Sequence, residues 1–568
     1  MNFDLVIRNG TVVDGSGRPR YRADVGIQGD RIAFIGRIRE RGAQEIDAEG
    51  KFVAPGFIEV HSHMDAQVFW DPLGTCPSWH GVTSTIMGNC GFTLAPCRAS
   101  EADLVFRSIE RAEDIARKTM LAGIEWKWET FAQYLDVVDA LPKNINYAGY
   151  IGHSALRTYV MGERAFEQKA SVAEVEAMTR ELESALKAGA IGFSTSRTDS
   201  HSTYDDKPVP SRVAEWSEIR TLVNAMGALG AGLFEITTEN FGTPESRRPF
   251  QDALQALALE SGRPVTFITV NVPWHGDAWK EMLALTERTV AQGGRMVSQV
   301  QCRAVQSILG FKVRLPFDQL PTWKTLRSQP LEAQKAGLLD PALRARLVAE
   351  AMNGPYGSNS RGVEARAPDW DALCLFDSPI GPYRSLASLA AERGVTPADV
   401  MIDAALATNL EQFFVQPIAN CDMRDVEKLL MHPNSVVGGS DSGAHVSQII
   451  DSSMPTFLLA YWVREKGVLS WEQAVRKLTL DSALAWQLQH RGLVATGNVA
   501  DLVVFDPETV APAMPEAAHD LPAGGLRLKQ KATGIAATIV AGQVILRDGE
   551  HTGAMPGRVL RGPLAEAR

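Results

Sequence analysis

The chain has 568 residues, 45% apolar and 22% charged, with a formal net charge of -10. That length allows two to four domains around a large buried interior, and the ordinary composition excludes fibrous and disordered classes. The negative balance gives no electrostatic basis for a nucleic-acid partner or an anionic membrane surface, so a small-molecule substrate is expected.

From Asp4 to about Val53 the texture is short and β-like, in DLVIRNGTVVDG, ADVGIQGDRIAFIG and EIDAEGKFVAPG, with glycines marking the turns. The pattern then changes to apolar runs of strand length separated by longer amphipathic segments, the alternation of a parallel sheet. Eight strands are predicted, at 52–61, 82–90, 144–153, 190–197, 232–237, 264–270, 295–302 and 435–441, and eight is the number that closes a barrel. Three intervening helices start at S/T-x-x-E/Q/D caps: Ser171 with Glu174, Thr396 with Asp399 behind Pro397, and Ser470 with Gln473. Between strands seven and eight an excursion over about 310–384 carries the helical LEAQKAGLLDPALRARLVAEAM and the polar PYGSNSRG, and reads as a lid over the barrel mouth. Near the end, LVATGNVADLVVFDP and GIAATIVAGQVILRDGE return to the β texture of the beginning. The expected fold is α/β. A (β/α)8 TIM-like barrel spans 54–486, with a small β-sandwich domain built from both chain ends, 1–53 and 487–568.

The six cysteines, at 76, 90, 97, 302, 374 and 421, form no CxxC pair, which argues against a disulfide framework and a structural zinc knuckle. The opening MNFDLVIRNG lacks the basic and apolar regions of a signal peptide, and no window approaches the ~18–20 apolar residues of a spanning helix. A cytoplasmic protein without a membrane partner is expected. A homo-oligomer is left open.

Chemistry concentrates at predicted C-terminal strand ends, where barrel active sites sit. In EVHSHMD, His61 and His63 are two apart, so both rings project to one side and can chelate one divalent ion of the zinc type; the plain alternative is a pair of loop histidines. Cys90, between glycines in MGNCGF, is either a thiolate ligand or a small buried apolar residue. Asp441 in GGSDSGAH can ligate a metal and take the proton of its bound water, or simply form a turn. His445 is placed to orient Asp441 or the substrate.

Taken together, PGFIEVHSHMD, GVTSTIMGNCGFTLAPC, SDSGAH and GNVADLVVFDP resemble the amidohydrolase superfamily, and within it the D-aminoacylase (N-acyl-D-amino-acid deacylase) branch. The resemblance covers nearly the whole chain. It implies metal ligation by His61, His63, Cys90 and Asp441, with Cys90 in place of a bridging lysine and Asp441 as catalytic acid/base. YIGHSALR resembles the branch's strand-three segment and implies that His153 lies near the substrate. That branch also carries metal-ligand histidines at the ends of strands five and six, whereas here those strands read LFEITTEN and VTFITVN. Glu235, Glu239, His201 and His275 are the substitutes within reach in sequence, and Arg197 and Arg303 are candidates for gripping a substrate carboxylate. With both histidines missing, one zinc ion is the economical expectation and two the alternative.

The expected activity is hydrolysis of an amide by metal-activated water with Asp441 as acid/base. A cyclic amide, imide or lactone hydrolase of the same fold, and a non-catalytic binding protein of that fold, are the alternatives.

Overall fold

The computed structural model describes residues 2–239, 242–356 and 366–565. Its centre is a parallel eight-stranded sheet, β1 (Phe57–Glu59), β2 (Val82–Met87), β3 (Asn146–Gly152), β4 (Gly192–Ser196), β5 (Leu233–Thr237), β6 (Val265–Ile268), β7 (Met296–Val300) and β8 (Ser435–Val437), paired in sequential order. Every strand lies inside its predicted window. A parallel bridge between Ser62 and Ser442, just past β1 and β8, brings the first and last strands together. Inside, Ile58, Ile86, Ala148, Tyr150, Leu233 and Val436 share a buried cluster with Trp486, whose indole N–H donates to Tyr150 Oη at 2.7 Å. The interior is therefore packed rather than open, as in barrels of this size.

The predicted first strand, 52–61, is two strands. Phe52–Pro55 pairs antiparallel with Leu502–Phe505, and the chain crosses into the barrel at Gly56. A Cβ at Gly56 would lie 2.2 Å from the Thr83 side chain, so only glycine permits this passage. Seven strands from both chain ends form one sheet, and Arg31–Gly36, Asp24–Gln28, Phe3–Arg8 and Gly42–Asp47 form a second of four. Leu5, Ile7 and Ile27 of the smaller sheet share a buried cluster with Val53, Leu502 and Val504 of the larger.

Ser171 and Ser470 make full capping boxes with Glu174 and Gln473. Thr396 accepts the Asp399 N–H but donates its own hydroxyl to the Asp399 carboxylate, so there the return bond goes to the side chain. Between β7 and β8 the excursion is broader than 310–384. It begins with the strand Val305–Gly310 and ends with Phe413–Ala419, which pair antiparallel, Cys374–Phe376 adding a third strand. Its helices pack around Phe317, Trp323, Leu347, Leu389 and Phe414 in a core of their own. The single helical stretch read at 331–352 is broken in two by Pro341, with Asp340 accepting the Leu343 N–H at 2.7 Å as a new cap. Residues 357–362 of PYGSNSRG lie outside the described residues. Among the described residues no helix is long and apolar enough to cross a membrane.

Candidate metal centre

Closure of the barrel assembles the centre. The His63 N–H donates to Ser442 O at 2.8 Å beside the Ser62–Ser442 bridge, which holds the two rim segments side by side. Gly443, at φ +94°, sits so close that a Cβ would be 2.5 Å from His63 O. As a result His61 Nε2 lies 3.3 Å, and His63 Nε2 3.7 Å, from the same oxygen of Asp441, Oδ1. Cys90 Sγ is 3.5 Å from His61 Nε2, and the donor atoms of His61, His63 and Cys90 all fall within 4.8 Å of one another. Ligand atoms bound at about 2.0–2.3 Å to one tetrahedral ion are roughly 3.3–3.7 Å apart. The residues present therefore fit a metal of the zinc type.

The same place carries backbone strain. Cys90, Asp441 and His445 are non-glycine residues in the left-handed region, at φ +58°, +49° and +47°. Such conformations cost on the order of 1–3 kcal/mol each and persist where surrounding structure enforces them, commonly at functional sites.

Buried polar groups orient the candidate ligands. Gln299 on β7 faces His61 Nδ1 at 2.8 Å and donates through its own amide to Thr266 on β6. Glu59 accepts the His61 N–H at 2.9 Å, Asp65 accepts the Gly88 N–H at 2.9 Å, and Glu235 on β5 accepts the Cys90 N–H at 2.8 Å. Glu113, after the helix Ala102–Ala112, places Oε2 3.5 Å from His63 Nε2.

Burial pushes the carboxyls of Glu59 and Asp65 up to about 7 and that of Glu235 to about 8, with the charge of Asp441 adding to the last. Asp441 is likewise raised to about 8, by desolvation first and then by Asp451 and Glu59. Burial depresses His61 to about 4, leaving it neutral, and holds the Cys90 thiol well above its usual range, reinforced by Glu235, Glu113 and Asp441. Neutral imidazoles beside buried carboxyls and a thiol that ionise only at a cost form a donor set whose charged forms a cation would favour.

Asp441 and His445 open onto a cavity of about 1110 Å³, also lined by His201 and Gln301 from the barrel rim, Arg314 and Ile418 from the insertion, and Leu526 near the C-terminus. His201 is held by Ser196 Oγ at 2.8 Å and lies over the Phe92 ring. The other predicted substrate contacts do not line this cavity. His153 has both ring nitrogens occupied, by Thr195 at 2.8 Å and Glu218 at 2.9 Å, in a buried network with Arg157. Arg197 pairs with Glu239 at 2.9 Å, so each of these two candidates satisfies the other. Arg303 is buried over the Phe457 ring and faces Asp451 at 3.4 Å. His275 sits in a turn after β6 against Trp274. Glu113 and Gln299 carry no local motif. A glutamine inside the buried strand RMVSQVQC was the one signal that could have marked Gln299.

Comparison with known proteins gives the family. The chain is 32% identical to the N-acyl-D-glutamate deacylase of Alcaligenes xylosoxydans xylosoxydans, over 89% of this chain and 88% of that one. A crystal structure of D-aminoacylase superposes with a TM-score of 0.65 at 26% identity, covering 98% of this chain and 100% of that one. N-acyl-D-glutamate deacylase from Bordetella bronchiseptica, solved with zinc and a phosphonate mimic of the tetrahedral intermediate, gives 0.65 at 25% identity, covering 99% and 100%. The model of the amidohydrolase family matches residues 44–546, and the chain belongs to that family as an enzyme acting on carbon–nitrogen bonds other than peptide bonds.

Proposed function

We propose that this chain is a metal-dependent deacylase that releases the amine from an N-acyl-D-amino acid, with His61, His63, Cys90 and Asp441 as the ligand set. The observation that carries the reading is the convergence of both histidine Nε2 atoms on one oxygen of Asp441 at the floor of a cavity large enough for such a substrate. Zinc, one ion per chain, is the proposed metal. When bound, it supplies a Lewis acid that polarises the amide carbonyl and makes hydroxide available near neutral pH.

Asp441 is the group placed to take a proton from attacking water and return it to the leaving amine. Its side chain keeps 27% exposure, so it reaches the cavity while its neighbours His61 and His63 are buried behind it. His201 and His445 line the same wall, where a neutral ring N–H would donate to the oxygen that gains charge in the transition state. The deacylase relatives support the choice of an acyclic N-acyl-D-amino acid over a ring substrate. The two terminal sheets, which share a buried cluster, are read as one small sandwich bracing the barrel.

The test is a substrate panel of N-acyl-D-amino acids, N-acyl-L-amino acids and cyclic imides offered to the zinc-loaded enzyme. Turnover confined to the first group is expected. Preferential ring opening would overturn the deacylase reading.

A further inference from the structure

Glu113 is 2% exposed, and among the described residues two histidine nitrogens face its Oε2: His63 Nε2 at 3.5 Å and His445 Nε2 at 3.8 Å. Its other oxygen, Oε1, has no hydrogen-bond partner. Among the described residues it forms no ion pair with a lysine or arginine. A buried carboxylate in such company is expensive unless a cation is bound nearby.

The position is built rather than incidental. Glu113 O accepts the His445 N–H at 2.6 Å, and the next residue, Asp114, accepts from Ser447 at 3.1 Å and from Gln448 at 2.6 Å while pairing with Arg314 at 2.7 Å. The corner after the helix is thus fastened to the segment that follows Asp441. The 3.5 Å between Glu113 Oε2 and His63 Nε2 is also the spacing of two donors on one ion, about 3.3–3.7 Å. Glu235 spends one oxygen on the Cys90 N–H and, like Glu113, leaves its Oε1 without a hydrogen-bond partner.

We propose that Glu113 is a metal ligand of this centre, supplying a carboxylate donor on the His63 side. The inference rests on the reading of His61, His63, Cys90 and Asp441 as a metal centre.

The test is competition titration of the metal-stripped full-length chain with Zn²⁺, together with the visible spectrum of its Co²⁺ form, for wild type, Glu113→Gln, Glu113→Asp and Glu235→Gln. Glu113→Gln is expected to weaken Zn²⁺ binding at least about tenfold, to alter the Co²⁺ bands, and to shrink the metal-induced rise in Tm without lowering the metal-free Tm. If Glu113→Gln does not fold, Glu113→Asp, one methylene short with the same charge, must show the affinity loss. Wild-type affinity and spectrum in the Glu113 variants, or a loss confined to Glu235→Gln, would overturn the assignment. A wild-type chain that takes up no ion would instead overturn the metal centre itself.

Discussion

His61 Nδ1 lies 2.8 Å from Gln299 Oε1, and this contact decides which face of the imidazole is offered to the centre. An amide oxygen only accepts, so Nδ1 carries the hydrogen and Nε2, facing Asp441 and Cys90, presents its lone pair. Gln299 is itself held by its amide nitrogen, which donates to Thr266 Oγ1 at 3.1 Å. Gln299→Leu should therefore weaken zinc binding by about 10–100-fold, the usual cost of losing such a supporting contact. A competition titration reads it directly.

Asp441→Asn keeps the shape of the side chain but removes its basicity. The expected loss in kcat on an N-acyl-D-amino acid is about 10²–10⁴-fold. Near wild-type turnover would mean that another group handles the proton.

Removal of metal should abolish activity and destabilise the folded chain together. A ligand present at 100 times its Kd stabilises the native state by about 2.7 kcal/mol. Chelation should therefore lower Tm, and zinc should restore both Tm and turnover. In His61→Ala and His63→Ala the zinc response of Tm should be lost, which differential scanning calorimetry would show.

His80 offers a test of pH dependence away from the centre. It is fully buried, facing Thr456 Oγ1 at 2.8 Å and Gln530 O at 3.0 Å, and burial depresses it to about 4. The unfolded chain, at about 6.5, then binds a proton before the folded chain does. The sign follows: the stability tied to neutral His80 is complete above about 6.5 and is lost as pH falls toward about 4, by up to about 3 kcal/mol. His80→Gln should flatten urea-derived stability between those two values.

His153 is the residue for which sequence position and tertiary position part most clearly. Its nitrogens hold Thr195 and Glu218 in a buried network rather than facing the cavity. His153→Ala should cost about 1–3 kcal/mol of stability by stranding buried polar partners, with KM little changed. A large rise in KM at unchanged stability would restore it to the substrate site.

The barrel was legible because its strands are apolar, β-branched runs separated by helices with explicit caps, such as Ser171 with Glu174, and local chemistry of this kind does not depend on distant partners. The HSH pair, Cys90 and Asp441 were legible as candidates for a similar reason: residue type, strand-end position and neighbouring glycines are all local. What no local pattern carries is who faces whom. The division at Gly56 depends on Thr83 standing opposite, and the neutralisation of Arg197 by Glu239 depends on how two loops meet.

By itself, then, the sequence determined the eight strands, their order and the type of chemistry at their ends. Only the tertiary structure decided that His153, Arg197 and Arg303 are occupied elsewhere and that Glu113 and Gln299 belong beside the histidines. The physical reason is that strand identity follows from short-range periodicity. A candidate ligand set follows from closure, which brings the segments just past β1 and β8 together and a helix end against His63 by contacts among residues far apart in the chain.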